Sequence, residues 1–543
     1  MTDLSQAAAS EDAGVRASRR QAPLMAAGTL ASRLTGFVRT AAIVAVLGVS
    51  RVGDAYNTAN TLPNVLYFLV TGQTVSSLVV TLLAQAPDGD QRRRRAEVIG
   101  SVVTVVTGVA SIAVLVLAPL IIRLYALELR GAPDYRMYVR VASFWLMLFA
   151  PQILCYGLSA YATAVLNAHG RLALAGFAPV ATNVITIGGV AAYVATGGPN
   201  PARLSGLGAV PLVVLGAATT LGVAAMATIQ LAGARHVLPG PRLRLRSRLH
   251  RRDPVLRELL SLGRWTFAYV VANQVGLSVV IALATPTGGA LTAYQTAFMI
   301  MQLPFAIVAV SVFSALAPRL ATTATNDRAG FAGALSIGFR LSTALLLPAG
   351  IGLAVLARPI ADLLIGYGQA TGEGAVLVAV ALRWFGVALV PFTTFQLLTR
   401  GFYSLPDART PALVNIAVNA VNVVAAMALT AVLAGAEQRV AGLVVAYALS
   451  YVTGVVLLGW LLARRRQGVW QGATRAVATA GLASTAMVGC LVALQRVWPA
   501  PSAQAPASLR TLGLAAAGAI VYLVTALLAR SPELTQIRGQ GIR

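Results

Sequence analysis

Apolar and polar positions fall in long blocks along this chain. Apolar runs recur from Leu24 to Leu528, separated by short polar stretches that carry most of the arginines. A run of about 18 or more apolar residues is long enough for a helix to cross the roughly 30 Å hydrocarbon core of a bilayer. The blocks predict fourteen spans, at about 24–49, 56–85, 98–122, 139–167, 172–196, 207–233, 259–285, 289–318, 334–357, 375–403, 410–435, 438–463, 475–495 and 509–529. An all-α integral membrane fold is expected, because within lipid a helix satisfies its own backbone polar groups.

The polar connectors set a topology. Arg92 to Arg95 follow span 2, 235-RHVLPGPRLRLRSRLHRRDPVLRE-258 follows span 6, and 464-RRR-466 follows span 12. All are even-numbered connections. Loops rich in Arg face the cytoplasm, so both termini are expected there. By this assignment about 29 of the 42 basic residues lie on one side and about 10 on the other, the few remaining being inside spans. The loop around Arg123, Arg130, Arg136 and Arg140 is the exception, partly offset by Glu128 and Asp134.

A repeat is also visible. The stretch 55-AYNTANTLPNVLYF-68 resembles 293-AYQTAFMIMQLPFA-306 at the start of spans 2 and 8. Two six-helix lobes related by a repeat are expected, with spans 13 and 14 as an addition. The organisation is then a cytoplasmic tail at 1–23, expected to be disordered, and an N-lobe at 24–233. A basic linker at 234–258 leads to a C-lobe at 259–463. A connector with two helices follows at 464–530, and a cytoplasmic tail at 531–543.

Composition sharpens this picture. The 543 residues are 57% hydrophobic and only 11% charged, against about a quarter charged in soluble domains. The net charge of +25 would suit nucleic acid, but its placement in short loops between spans points to membrane topology instead. There is no lysine, which excludes a lysine Schiff base or lysine proton carrier. The two cysteines, Cys155 and Cys490, lie in apolar segments and read as small hydrophobes. No P-loop, paired cavity carboxylates or Cys/His metal cluster is present, so no cofactor, no metal and no enzymatic activity are expected.

The candidate chemistry is polar residues inside spans. In 29-TLASRLTGFVRTAAIVAVLG-48 two arginines sit in an apolar helix with no acidic residue. A central arginine costs about 2.5–3.5 kcal/mol on insertion scales. Arg33 could snorkel to the inner end; Arg39, near the middle, could not. They are about 9 Å apart along the axis and about 120° around it. All 17 carboxylates are assigned to loops, tails or span ends, with Asp54, in the turn before span 2, the nearest candidate partner. Either neighbouring helices satisfy the guanidinium groups, or they hold an anionic, phosphate-bearing ligand by forked, charge-assisted contacts. Asn57, Asn60 and Asn64 lie on one face of span 2, where Pro63 is expected to kink it; they either line a cavity or satisfy the kink. Asn273 and Gln274 in span 7 and Gln295 in span 8 are the counterparts in the second lobe. The three histidines are assigned to cytoplasmic loops, so proton antiport has little support.

These residues carry a family resemblance. The stretch 32-SRLTGFVR-39 followed by 54-DAYNTANTLPN-64 resembles the start of the MurJ/MviN family, lipid II flippases of the multidrug/oligosaccharidyl-lipid/polysaccharide exporter superfamily. Further matches are 166-LNAHGRLALAGFAPV-180, 303-LPFAIVAVSVFSALAPRLA-321 and 401-GFYSLPDARTP-411, in order over most of the chain. The resemblance implies two lobes around a cationic cavity and two extra helices forming a groove for a polyprenyl tail. It implies that lipid II is moved from the inner to the outer leaflet by alternating access, linked to membrane potential, with the bilayer and cell-wall synthesis proteins as partners. Arg33 and Arg39 match the family's cavity arginines, and Asp54 its acidic residue before the second helix.

Departures from the pattern are specific. Where many members have Arg-Asp, this chain has Arg39-Thr40; the basic pair of the second helix is Tyr67-Phe68; and Met299 stands where a second-lobe arginine is usual. The pattern resembles the actinobacterial branch, without the kinase-like domain that some of its members carry. The alternatives are a flippase for another lipid-linked oligosaccharide, a multidrug antiporter and a non-transporting scaffold of cell-wall assembly.

Overall fold

The computed structural model describes residues 2–71, 89–198, 203–237, 254–365, 372–405, 407–499 and 504–529. Among these, thirteen helices are long and apolar enough to cross a membrane. Expected span 2 begins in a further helix, Arg51–Thr71, and its remainder to 85 lies outside the described residues. The chain divides into two compact units: residues to Gln274 apart from Gly48–Ser50, and those three residues with Val275–Arg543.

In the first unit α1 spans Thr2–Leu47, α2 Arg51–Thr71, α3 Gly89–Tyr125, α4 Tyr135–Phe149, α5 Pro151–Ala168, α6 Leu172–Ala195 and α7 Ala209–Val237. The expected tail at 1–23 is therefore helical from Thr2 onward, consistent with its alanine and arginine content, both strong helix formers. Helix α8, Pro254–Ala284, passes from one unit into the other. The core of the first unit gathers Tyr56, Tyr138, Trp145, Phe149 and Tyr193 with aliphatic residues of α1 to α4. Polar pairs tie its helices: the hydroxyls of Tyr56 and Thr219 are 3.0 Å apart, those of Thr58 and Tyr138 2.9 Å, and Gln152 Nε2 donates to Thr220 Oγ1 at 3.0 Å. Such bonds between helices add about 0.6 kcal/mol each on average in a membrane.

In the second unit α9 spans Ala290–Pro304, α10 Val310–Thr323, α11 Arg328–Val355, α12 Ala357–Ile365, α13 Glu373–Ser404, α14 Arg409–Val432, α15 Ala436–Arg465, α16 Ala473–Val497 and α17 Gln504–Leu528. Expected span 8 is not one regular helix: a π-helical turn, Phe305–Ala309, separates α9 from α10. Pro304, which has no amide hydrogen to donate, immediately precedes it. Phe305 of this turn packs against Phe392 and Phe313. Helices α16 and α17 pack on each other and on α11, through Met487, Leu491, Leu514 and Tyr522. The Arg510 side chain is buried and donates to the carbonyl of Trp498 at 2.6 Å, closing the C-terminal end of α16, where the helix dipole favours a cation.

The repeat holds at the level of side chains. Ala55, Tyr56, Thr58 and Ala59 are buried while Asn57 is half-buried; Ala293, Tyr294, Thr296 and Ala297 are buried while Gln295 is half-buried. Tyr56 meets Trp145 edge-on at 5.5 Å, and Tyr294 meets Phe385 at 5.0 Å. A second correspondence pairs a glycine with an asparagine amide in each unit. Gly36 of α1 faces the Asn183 amide, and Gly276 of α8 faces the Asn419 amide; a Cβ at either glycine would lie 3.5 Å or 2.3 Å from it.

The run Arg464–Arg466 is more than a topology signal. Arg464 stacks on Trp460, with its guanidinium carbon 3.9 Å from the ring centre. Arg465 Nη1 bonds Asp407 Oδ2 at 2.7 Å, and Arg466 Nη2 donates to the Ala324 carbonyl at 3.0 Å. The end of α15 is thereby fastened to the loop before α14 and to the end of α10. Burial would raise the Asp407 pKa, but hydrogen bonds from the Thr410 amide and hydroxyl and from Arg465 outweigh it and hold the carboxyl below its ordinary value.

Candidate substrate-binding site

The first unit carries most of the expected site residues, and α1 positions the two arginines. This helix runs parallel to α6 in close contact. A Cβ at Gly28 would lie 2.8 Å from the Gly176 carbonyl carbon, and one at Gly176 would lie 2.9 Å from the Met25 carbonyl oxygen. Further along, Asn183 Nδ2 donates to the Ser32 carbonyl at 3.0 Å and to Thr35 Oγ1 at 2.9 Å. Small residues let the backbones approach, and the amide fixes their register. Asn183 was not singled out from the sequence. A lone amide in an apolar span, with Asn419 at the matching place in the second lobe, was the available signal.

This packing orients the arginines. Arg39 lies one turn beyond Thr35 and Gly36, on the side of α1 that faces α6. It is half-buried and interacts electrostatically with the Tyr56 hydroxyl. Leu30, Leu34 and Val38, each more than half exposed, form the opposite stripe. Arg33 lies between this stripe and the packed face and is exposed. Neither guanidinium makes a hydrogen bond or ion pair among the described residues.

Asp54 departs from its expected place. It lies inside the first turn of α2 and is fully buried, with partners of its own. An acidic residue there suits the positive end of the helix dipole. Nearby, Arg51 pairs with Asp134 at 3.3 Å. Asn57, Asn60 and Asn64 form a less buried face of α2, beside the buried face of Tyr56, Ala59 and Pro63. Asn64 Nδ2 donates to the Asn60 carbonyl at 2.8 Å, and Thr61 Oγ1 to the Asn57 carbonyl at 2.6 Å. These bonds lie around Pro63, so Asn64 serves the helix turn, while Asn60 keeps its amide free of any partner among the described residues. Asn273 and Gln274 are half-buried in α8 at the end of the first unit, and Gln295 is half-buried in α9 of the second. Asn273 and Gln295 are hydrogen-bonded or otherwise engaged, whereas the Gln274 side-chain oxygen is buried without a hydrogen-bond partner among the described residues. No group of His, Cys, Asp and Glu among the described residues could hold a metal ion.

The chemistry within the first unit is thus two accessible cations and a polar stripe on otherwise apolar helices. Comparisons with known proteins identify the family. The family model for the lipid II flippase MurJ matches residues 43–502. A protein of Rhizobium meliloti (strain 1021) described as "Probable lipid II flippase MurJ" is 30% identical over 520 residues, 94% of each chain. A solved lipid II flippase MurJ in an inward closed conformation superposes with a TM-score of 0.74 at 18% identity, over 93% of this chain and 98% of that one. A multidrug resistance MATE family transporter of the MOP superfamily, in an inward-facing conformation, gives 0.64 at 14% identity, over 80% and 95%. The two structural likenesses concern the fold alone.

Proposed function

The chain belongs to the MurJ lipid II flippase family, and from that premise we propose that Arg33 and Arg39 hold the diphosphate of lipid II while it crosses the membrane. The protein is a transporter and not an enzyme. It is a multi-pass protein of the bacterial cell membrane, and it flips lipid II for peptidoglycan synthesis. The observation that supports the residue assignment is the pair of guanidinium groups without a hydrogen bond or ion pair among the described residues. A forked guanidinium matches a phosphate better than any other side chain does. Each such contact contributes about 1.5–3 kcal/mol.

Asn57, Asn60 and Asn64 would offer neutral donors and acceptors to the polar headgroup, with Asn273, Gln274 and Gln295 contributing from the later helices. Asp54, buried as it is, positions the start of α2. Both termini are read as cytoplasmic. Transport from the inner to the outer leaflet by alternating access then moves an anion toward the positive side, which an inside-negative potential favours by about 2.3 kcal/mol per charge per 100 mV.

The test is depletion of the native flippase in a bacterium that expresses this protein, following arrival of lipid II at the outer leaflet. Rescue is expected. Arg39→Glu should abolish it and Arg33→Ala should weaken it at equal membrane abundance. Full transport by Arg39→Glu would reject the phosphate contact, and failure of the correctly inserted parent chain to rescue would reject the substrate.

A further inference from the structure

A cationic cleft lies wholly within the second unit, between α10 and α13. Its volume is about 240 Å³, and Phe313, Ala317, Leu320, Leu397, Arg400 and Tyr403 line it. On α10 the lining residues are spaced by four and three, and on α13 Leu397 and Arg400 are spaced by three, so each helix turns one face to the cleft. The walls are apolar. The Arg400 guanidinium sits over the Phe313 ring, 4.8 Å from its centre. It makes no hydrogen bond or ion pair among the described residues, and neither does the Tyr403 hydroxyl. Ser404, which completes the lining, donates to the Arg400 carbonyl at 3.1 Å. The acidic residue closest in sequence, Asp407, is already engaged by Thr410 and Arg465. The cation is therefore held by a ring face while its five donors remain open.

Depth decides the ligand class. Arg400 is one turn from the end of α13, roughly 6 Å along the axis, at the end of the unit where Arg464–Arg466 are fastened. That is the depth of lipid headgroups at a basic membrane face. We propose that this cleft binds an anionic phospholipid, its phosphate held by Arg400 and Tyr403 and the start of its acyl chain lying along Phe313, Ala317, Leu320 and Leu397. A free phosphate would gain nothing from the apolar walls, and a zwitterionic lipid would bring its own cation toward Arg400. The site is independent of the transport assignment, since Arg33 and Arg39 belong to the other unit.

The experiment uses the full chain in detergent, titrated with short-chain phosphatidylglycerol, short-chain phosphatidylcholine or inorganic phosphate, with bound lipid counted by native mass spectrometry. The expected result is one tightly held phosphatidylglycerol, not displaced by excess inorganic phosphate. Arg400→Gln should weaken it by about tenfold or more and Arg400→Lys by less, while Arg33→Ala with Arg39→Ala should leave it unchanged. Tyr403→Phe, which removes one hydroxyl, should weaken it several-fold and stands in if Arg400→Gln does not fold. Unchanged phosphatidylglycerol binding in the Arg400 and Tyr403 variants, equal retention of phosphatidylcholine, or displacement by inorganic phosphate would each overturn the proposal.

Discussion

The Asn183 amide offers a sharp measure of how α1 is held. Its Nδ2 donates to the Ser32 carbonyl and to Thr35 Oγ1, at 3.0 and 2.9 Å. Asn183→Ala removes both bonds. The Ser32 carbonyl still accepts from Thr35 Oγ1 at 3.2 Å, and the Thr35 hydroxyl still donates to the Ala31 carbonyl at 2.8 Å, so the loss stays near the membrane average of about 0.6 kcal/mol per bond. The amide also packs on Gly36, and losing that contact adds about 1 kcal/mol. The total is about 2 kcal/mol. By the scaling of soluble domains of similar size this lowers the melting temperature by about 4–8 °C. The assay is thermal unfolding of the purified protein in detergent, read by tryptophan fluorescence and by the monomer peak after heating. Asn183→Leu separates the two contributions, since it refills the space but donates nothing. The Leu variant should remain destabilised by about half as much as the Ala variant. Wild-type melting of the Leu variant would show that packing alone holds the pair, and wild-type melting of both would show that α1 is held elsewhere.

Three further outcomes are expected. Gly350 and Gly386 face each other across α11 and α13, and a Cβ on either would lie 2.4 Å from the other's carbonyl oxygen; Gly386→Ala should destabilise the second unit by at least about 1–3 kcal/mol, and a melting point unchanged within a degree would refute so close a crossing. Replacing Asp407 with Asn should cost about 1 kcal/mol or less, because the pair with Arg465 is partly exposed. With the Asp407 pKa held low, the contribution of the Asp407 contacts with Arg465 and Thr410 is complete above the ordinary carboxylate value of 3.8 and fades as pH falls through the lower folded value; equal acid sensitivity of Asp407→Asn and the parent in a melting series would contradict it. The double variant Arg33→Ala, Arg39→Ala should lose lipid II transport in the depletion strain while its membrane abundance and melting temperature persist, because neither guanidinium makes a hydrogen bond or ion pair among the described residues; a comparable drop in stability would reassign both to structure.

Much of this protein was legible in its sequence because lipid imposes so few options. Apolar blocks of span length, basic loops on alternate connections and the recurrence of Ala55-Tyr56 at Ala293-Tyr294 gave an all-helical bundle with an internal repeat. The solvent does that work: a backbone in hydrocarbon must be helical here, and an arginine in a short loop marks a side. The cost of Arg33 and Arg39 could likewise be read from type and position alone. What periodicity could not supply was the identity of neighbours. Only the packed helices showed that Asp54 is buried in its own turn, that Asn64 serves the backbone around Pro63, and that Asn183 locks α1 to α6. Only they placed Arg400 over Phe313 in an apolar cleft. The sequence determines which groups are expensive to bury, since that follows from solvation. Which groups are relieved by a partner depends on contacts between residues far apart in the chain, and those exist only after the helices have packed.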